Sequence, residues 1–244
     1  MLTTIALDYG DVLARPASGN WLMPPNLPEI LGLGNMMKMM SNARLLLENT
    51  ERAKDFLDQN HLLHTEEEEF QQFKEFFGIM FGGCGLKGLG KIAEELARYT
   101  VYNENKVRFY DDALPGIQAL KERWRVIVIS DAWPSLRGIL ARAGIAPLLD
   151  DLVISCDYGH SKGVYGRARG GGKLFQTAIE KHGVVPEETL FVDDRAENLA
   201  FARDLGFHTA HMDRDGKIET SEYPLVRTME EVAALAAGLY SSTP

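Results

Sequence analysis

Cysteine is scarce: Cys84 and Cys156 are the two in 244 residues, too few for a disulfide framework or a zinc site. No apolar stretch approaches the ~20 residues needed to span a bilayer. Basic residues are outnumbered, and the formal charge is −9. That balance argues against nucleic acid, because phosphate backbones are bound by Lys/Arg stripes. The opening MLTTIALDYG lacks a basic n-region and a small-residue cleavage site, so no secretory signal is expected. Internal repeats and low-complexity tracts are absent too. A membrane protein, a disulfide miniprotein and a disordered chain are excluded. The expectation is a cytoplasmic globular protein with neither nucleic acid nor membrane as partner.

What is present falls into two textures. The first is a βα rhythm at both ends of the chain. Leu2 to Leu7 is a short apolar run cut off by Asp8-Tyr9-Gly10-Asp11, the pattern of a buried strand delivering an acid to a loop. From Tyr110 onward, strands are expected at Arg125 to Ser130, Asp151 to Ser155, Glu188 to Asp193 and Phe207 to His211. Helices are expected after Leu114-Pro115-Gly116, from Pro134 to Ala143, Lys173 to His182, Ala196 to Leu205 and Met229 to Leu239. Alternating strands and helices predict an α/β fold with a doubly wound parallel sheet.

The second texture is helical. Segments at Met36 to Leu47, Asn49 to Leu63, Thr65 to Phe81 and Leu89 to Tyr99 have helix period and no strand alternation. Thr65 followed by four glutamates suits a helix N-terminus, and Glu66 to Glu69 read as its solvated start. Residues 16–108 therefore read as an all-helical insert, and residues 1–15 with 109–244 as the α/β core.

In open α/β sheets, ligands bind beyond the carboxyl ends of the strands. Those ends carry Asp8, Ser130 and Asp193-Asp194, with Lys162 in the loop after the third strand. Paired carboxylates repel one another, and a hard divalent cation with oxygen ligands, Mg²⁺, resolves the repulsion. A cation, a lysine and a hydroxyl can neutralise and hold a phosphoryl group while a carboxylate attacks phosphorus.

Four stretches carry a resemblance. They are Ile5-Ala-Leu-Asp8-Tyr-Gly-Asp-Val-Leu13, Val126-Ile-Val-Ile-Ser130-Asp131, Ile154 to Lys162, and Leu190-Phe-Val-Asp193-Asp194-Arg-Ala-Glu-Asn198. Each is weak alone; in this order and spacing they resemble the four motifs of the haloacid dehalogenase (HAD)-like hydrolases, most of which are phosphatases. The helical insert after the first motif is similar to that family's helical cap.

The resemblance implies roles. Asp8 would be the nucleophile and a metal ligand. Gly10 would offer its carbonyl to Mg²⁺. Ser130 and the Asp131 amide would bind the phosphoryl group, and so would Lys162. Asp193 and Asp194 would complete the metal site, with Asp194 favoured as the direct ligand. The substrate would be a small phosphorylated metabolite, and the protein a monomer or homodimer.

Two departures stand out. The family phosphatases usually carry a second Asp two residues after the nucleophile, as general acid and base. This chain has Gly10, and Asp11 one step later. Family members with glycine there resemble sugar-1-phosphate phosphatases, which points to a sugar phosphate. The loop after Lys162 is also longer than the family pattern, so Arg169 and Lys173 are rival phosphate-binding cations. Two other readings stand beside the phosphatase. One is a metal-independent dehalogenase, a type that also lacks the second Asp; the other is a degenerate member that only binds a phospho-ligand. Trp21 and Trp133 could line the mouth of the site or only pack. The Met36-Met37, Met39-Met40 run reads as core of the helical insert or a pliable pocket wall rather than a metal site, and His61 and His64 lack further ligands for a metal.

Overall fold

A computed structural model describes residues 1–163 and 171–241. In chain order it begins with β1 (Thr4–Leu7) and β2 (Ala14–Pro16), then four helices: α1 (Leu27–Ser41), α2 (Ala43–Gln59), α3 (Glu66–Met80) and α4 (Leu89–Tyr102). There follow β3 (Val107–Phe109), α5 (Ala113–Lys121), β4 (Arg125–Ser130), α6 (Leu136–Arg142), β5 (Asp151–Ile154), α7 (Lys173–His182), β6 (Thr189–Asp193), α8 (Ala196–Asp204), β7 (His208–Met212), β8 (Leu225–Val226) and α9 (Met229–Ser241).

Six strands form one parallel sheet in the order β5-β4-β1-β6-β7-β8. Its central strands are buried on both faces, as their unbroken apolar runs require. The period of two divides them between two layers. Ile5, Leu7, Val126, Val128, Leu190 and Val192 pack with residues of α5, α6 and α9. Ala6, Ile127, Ile129 and Phe191 face the other way, onto α7 and α8. This is the doubly wound α/β architecture expected. The register pairs Leu7 with both Val128 and Val192, so the residues that follow emerge together at the carboxyl edge.

The four helices α1 to α4 bury an apolar cluster of their own, rich in phenylalanine: Phe70, Phe73, Phe76, Phe77 and Phe81. Thr65 starts α3 with a full capping box: its hydroxyl accepts from Glu68 N at 3.2 Å, and Glu68 Oε2 accepts from Thr65 N at 3.0 Å.

Local expectations differ from the structure in several places, among them β8, which follows the last strand expected. The helix read across Met36 to Leu47 is broken at Asn42, whose side chain donates back to Lys38 O and takes the helix C-cap. Leu114-Pro115-Gly116 lies inside the first turn of α5 rather than before it, where proline's missing N–H costs nothing. Ser155 sits in a 3-10 turn beyond β5. The region read as helix alone is bordered by an antiparallel ribbon, β2 with β3, pairing Ala14 with Phe109 and Pro16 with Val107. Three-residue strands containing Pro and Arg leave no alternation to detect.

Candidate active site

Asp8 is the first residue beyond β1, and its backbone N–H donates to Val192 O at 2.9 Å, locking it beside the end of β6. Asp193 is the last residue of β6, fully buried, and Asp194 follows it. One carboxylate oxygen from each of Asp8, Asp193 and Asp194 lies within 4.8 Å of the others.

Into this acidic corner comes Lys162, itself 1% exposed. Its Nζ lies 2.5 Å from Asp193 Oδ2 and 2.8 Å from Asp8 Oδ1. Burial alone would lower the pKa of this ammonium; Asp193, Asp8 and Asp131 together outweigh burial and raise it. Asp131 also fixes the backbone, because its Oδ1 accepts from Lys162 N at 2.9 Å. Lys173 is exposed at the start of α7, outside this cluster. Arg169, the other rival cation, lies outside the described residues.

The two acids of the fourth motif have different surroundings. Asp193 accepts from Lys162, from Arg195 N at 2.9 Å and from Asn198 Nδ2 at 3.0 and 3.1 Å. Among the described residues no hydrogen bond reaches the Asp194 carboxylate, while its carbonyl is held by His211 Nε2 at 2.9 Å. The Asp194 pKa is pushed up to about 8, by burial first and then by the charges of Asp8 and Asp193. Asp8 Oδ1 is buried and, though close to the Lys162 ammonium, accepts no hydrogen bond.

Three carboxylates with a single lysine leave two negative charges in a largely buried space. An oxygen donor set with an unsatisfied buried oxygen and a carboxylate forced toward protonation fits a hard divalent cation. The Gly10 carbonyl is available to join it: the three hydrogen bonds that close this turn, Leu13 N and Ala14 N to Tyr9 O and Asp11 N to Ala14 O, leave it out.

Ser130 is buried at the carboxyl end of β4, the strand beside β1, and so stands on the same rim. Asp11 takes a left-handed φ of 51°, and the Trp21 indole lies beside this turn, where a Cβ on Gly10 would meet Trp21 Cζ2 at an ordinary contact distance of 3.4 Å.

A family model for haloacid dehalogenase-like hydrolases matches residues 32–206. The chain belongs to the haloacid dehalogenase-like hydrolases. No curated protein matches the chain in sequence. Among solved structures, a HAD phosphatase from Thermococcus onnurineus is similar with a TM-score of 0.62 and 20% identity, over 98% of this chain and 99% of that one. L-2-haloacid dehalogenase from Xanthobacter autotrophicus has a TM-score of 0.63 and 16% identity, over 98% and 99%. The HAD-hydrolase YfnB from Bacillus subtilis, bound to magnesium, has a TM-score of 0.57 and 15% identity, over 96% and 98%. At these identities the likeness is one of fold, and it includes both a phosphatase and a dehalogenase.

Three features of this HAD-like hydrolase had no role assigned from sequence. Asn198 holds both oxygens of Asp193; its place in the fourth motif was the available signal. Glu69 of α3, expected among the solvated glutamates of a helix start, is instead buried and accepts from Ser135 N at 2.7 Å and Ser135 Oγ at 2.8 Å, joining α3 to the start of α6. His61 meets Ser155 at 2.5 Å across the same seam. The last two contacts are long-range pairings of single residues and leave no sequence pattern. Trp133 bridges the helical and sheet cores, its Nε1 donating to Gln72 Oε1 at 3.0 Å. Among the described residues no helix is long and apolar enough to cross a membrane.

Proposed function

We propose that this hydrolase is a Mg²⁺-dependent phosphatase that hydrolyses a small phosphorylated metabolite through an aspartyl phosphate on Asp8. The observation that carries the reading is the uncompensated charge of Asp8, Asp193 and Asp194 around one lysine. A dehalogenase working without metal has no use for two further acids beside its carboxylate nucleophile.

Asp8 attacks phosphorus, and the bond from phosphorus to the ester oxygen breaks as the alkoxide leaves, to take its proton from water. Lys162 and the hydroxyl of Ser130, with the Asp131 backbone amide, hold the phosphoryl oxygens. Water then attacks phosphorus, phosphate departs, and the Asp8 carboxylate is restored. Asp8, the Gly10 carbonyl and Asp194 would hold Mg²⁺, with Asp193 fastened beside them. The cation supplies charge neutralisation at the phosphoryl oxygens. Residues 16–108 act as a cap that excludes water and selects the substrate. The glycine at position 10 favours esters with good leaving groups, among them sugar phosphates linked at the anomeric carbon. We further propose cytoplasmic action as a monomer or homodimer, without nucleic acid or membrane; the acidic charge and two buried free cysteines support this.

A screen of purified protein against sugar phosphates, nucleotides, phosphorylated acids and 2-haloacids, with Mg²⁺ or EDTA, tests the reading. Phosphate release that needs Mg²⁺ is expected. Halide release that survives EDTA would replace it with the dehalogenase reading.

A further inference from the structure

Beyond Ser130 the chain enters residues 131–135, a stretch with no helix or strand of its own before α6 begins. An irregular segment inside a protein must find partners for its polar groups elsewhere. Three side chains of the helical insert close on this one. Glu69 and Gln72 lie three positions apart on α3 and so share a face. Glu69 accepts from the N–H and the hydroxyl of Ser135, at 2.7 and 2.8 Å. Gln72 Oε1 accepts from the Trp133 indole N–H at 3.0 Å, while its Nε2 donates to Asn60 O. The third, His61, acts through Ser155: its Nε2 meets Ser155 Oγ at 2.5 Å, and that hydroxyl accepts from Ala132 N at 2.9 Å. The His61 ring also packs edge-on to that of Trp133, with centroids 5.4 Å apart. Along the same seam Leu63 N donates to Cys156 O at 3.0 Å, and Cys156 N to Ala132 O at 3.3 Å. His61, Glu69, Gln72, Ser135 and Ser155 are all buried, so water does not compete for these bonds.

Donors to a phosphoryl group help the reaction when they are in place beforehand, and a misplacement of about 1 Å can cost about 10²-fold in rate. We propose that Glu69 and Gln72, with His61 acting through Ser155, are positioning residues for the phosphoryl-binding loop. They touch no reacting atom. They fix Ala132, Trp133 and Ser135, and with them the aim of Ser130 and of the Asp131 amide just before. The sheet supplies the phosphoryl donors, and the insert sets their geometry. Asp8 and the Asp193-Asp194 pair follow β1 and end β6, on segments that these contacts do not reach. The proposal rests on the phosphatase reading and deepens it: the insert takes part in phosphoryl binding as well as in substrate choice.

The test separates phosphoryl binding from metal binding in Glu69→Ala, Gln72→Leu and Glu69→Gln. Gln72→Leu keeps the bulk and removes the acceptor for Trp133. Glu69→Gln can keep both bonds to Ser135, its amide oxygen accepting from the N–H and its amide nitrogen donating to the hydroxyl. Titration calorimetry on each full-length protein gives the Kd for Mg²⁺, then the Kd for orthophosphate at saturating Mg²⁺. Turnover of an activated aryl phosphate gives kcat. Glu69→Ala should weaken orthophosphate binding by about 10-fold or more and lower kcat by about 10²-fold, with Mg²⁺ affinity unchanged. Gln72→Leu should move the same two constants in the same direction, by less, and Glu69→Gln should stay near the wild type. If Glu69→Ala does not fold, Gln72→Leu decides alone. Wild-type orthophosphate affinity and kcat in the folded Ala and Leu variants overturn the proposal. So does an equal loss of Mg²⁺ affinity, the mark of general loosening, or a Glu69→Gln variant as impaired as Glu69→Ala. Each of these leaves the phosphatase reading standing. No phosphate release by the wild type from any ester overturns that reading, and the proposal with it.

Discussion

The Nζ of Lys162 sits 2.5 Å from Oδ2 of Asp193, with both side chains withdrawn from solvent. This pair joins a loop residue to the end of the central β6 strand. The same ammonium reaches Asp8 at 2.8 Å. Its position thus serves both to balance the acids of the folded chain and to present a positive charge beside Asp8, the nucleophile we propose.

Removing that charge leaves buried carboxylates without a partner. Breaking a buried ion pair from one side commonly costs about 3–5 kcal/mol. Lys162→Met should therefore lower the unfolding free energy by an amount in that range, read in urea as a lower midpoint at an unchanged slope. Recovery of part of the loss on adding Asp193→Asn would confirm the pair as the cause. A midpoint equal to that of the wild type would contradict it.

Metal-free protein should lose stability as pH rises. The Asp194 pKa in the folded state, about 8, is above the ordinary value of 3.8. Between those values the folded chain binds the proton that the unfolded chain has released, so ∂ΔG/∂pH is negative there. The protonated form's contribution is complete below pH 3.8 and is lost progressively up to about pH 8. Melting scans in EDTA should show Tm falling through this window more in the wild type than in Asp194→Asn. Addition of Mg²⁺ should raise Tm at pH 8 in the wild type, and much less in the variant. A Tm indifferent to Mg²⁺ at saturating concentration would contradict the metal assignment.

Glu69 should anchor the helical insert to the sheet. It is 1% exposed, receives two hydrogen bonds from Ser135 and feels the charge of Lys106. Glu69→Ala leaves the Ser135 N–H without its acceptor, a loss of about 1–3 kcal/mol. Hydrogen exchange should quicken at the start of α6 and along α3, while the central strands keep their protection. Unchanged exchange at both helices would show that the seam is held by packing alone.

The α/β core was legible because its strands announce themselves. Arg125–Ser130 and Thr189–Asp193 are continuous apolar runs flanked by helical periods. The acids at strand ends were legible for the same reason, since chain order fixes which rim they share. Lys162 could be chosen over Lys173 from local pattern, and only the latter is exposed. Less could be read where the signal is a contact between distant single residues. Glu69 with Ser135, His61 with Ser155 and Trp21 against Gly10 each depend on how the insert folds back, which no periodicity encodes. The β2–β3 ribbon was missed because three residues are too few to alternate.

The most direct test of covalent catalysis is acid quench within one turnover of an activated aryl phosphate in Mg²⁺ buffer, followed by peptide mass spectrometry. The peptide containing Asp8 should carry one phosphoryl group at that residue. Asp8→Asn should carry none, with steady-state turnover reduced by about 10³-fold or more. A labelled residue other than Asp8, or an Asn variant that turns over at the wild-type rate, would contradict the account.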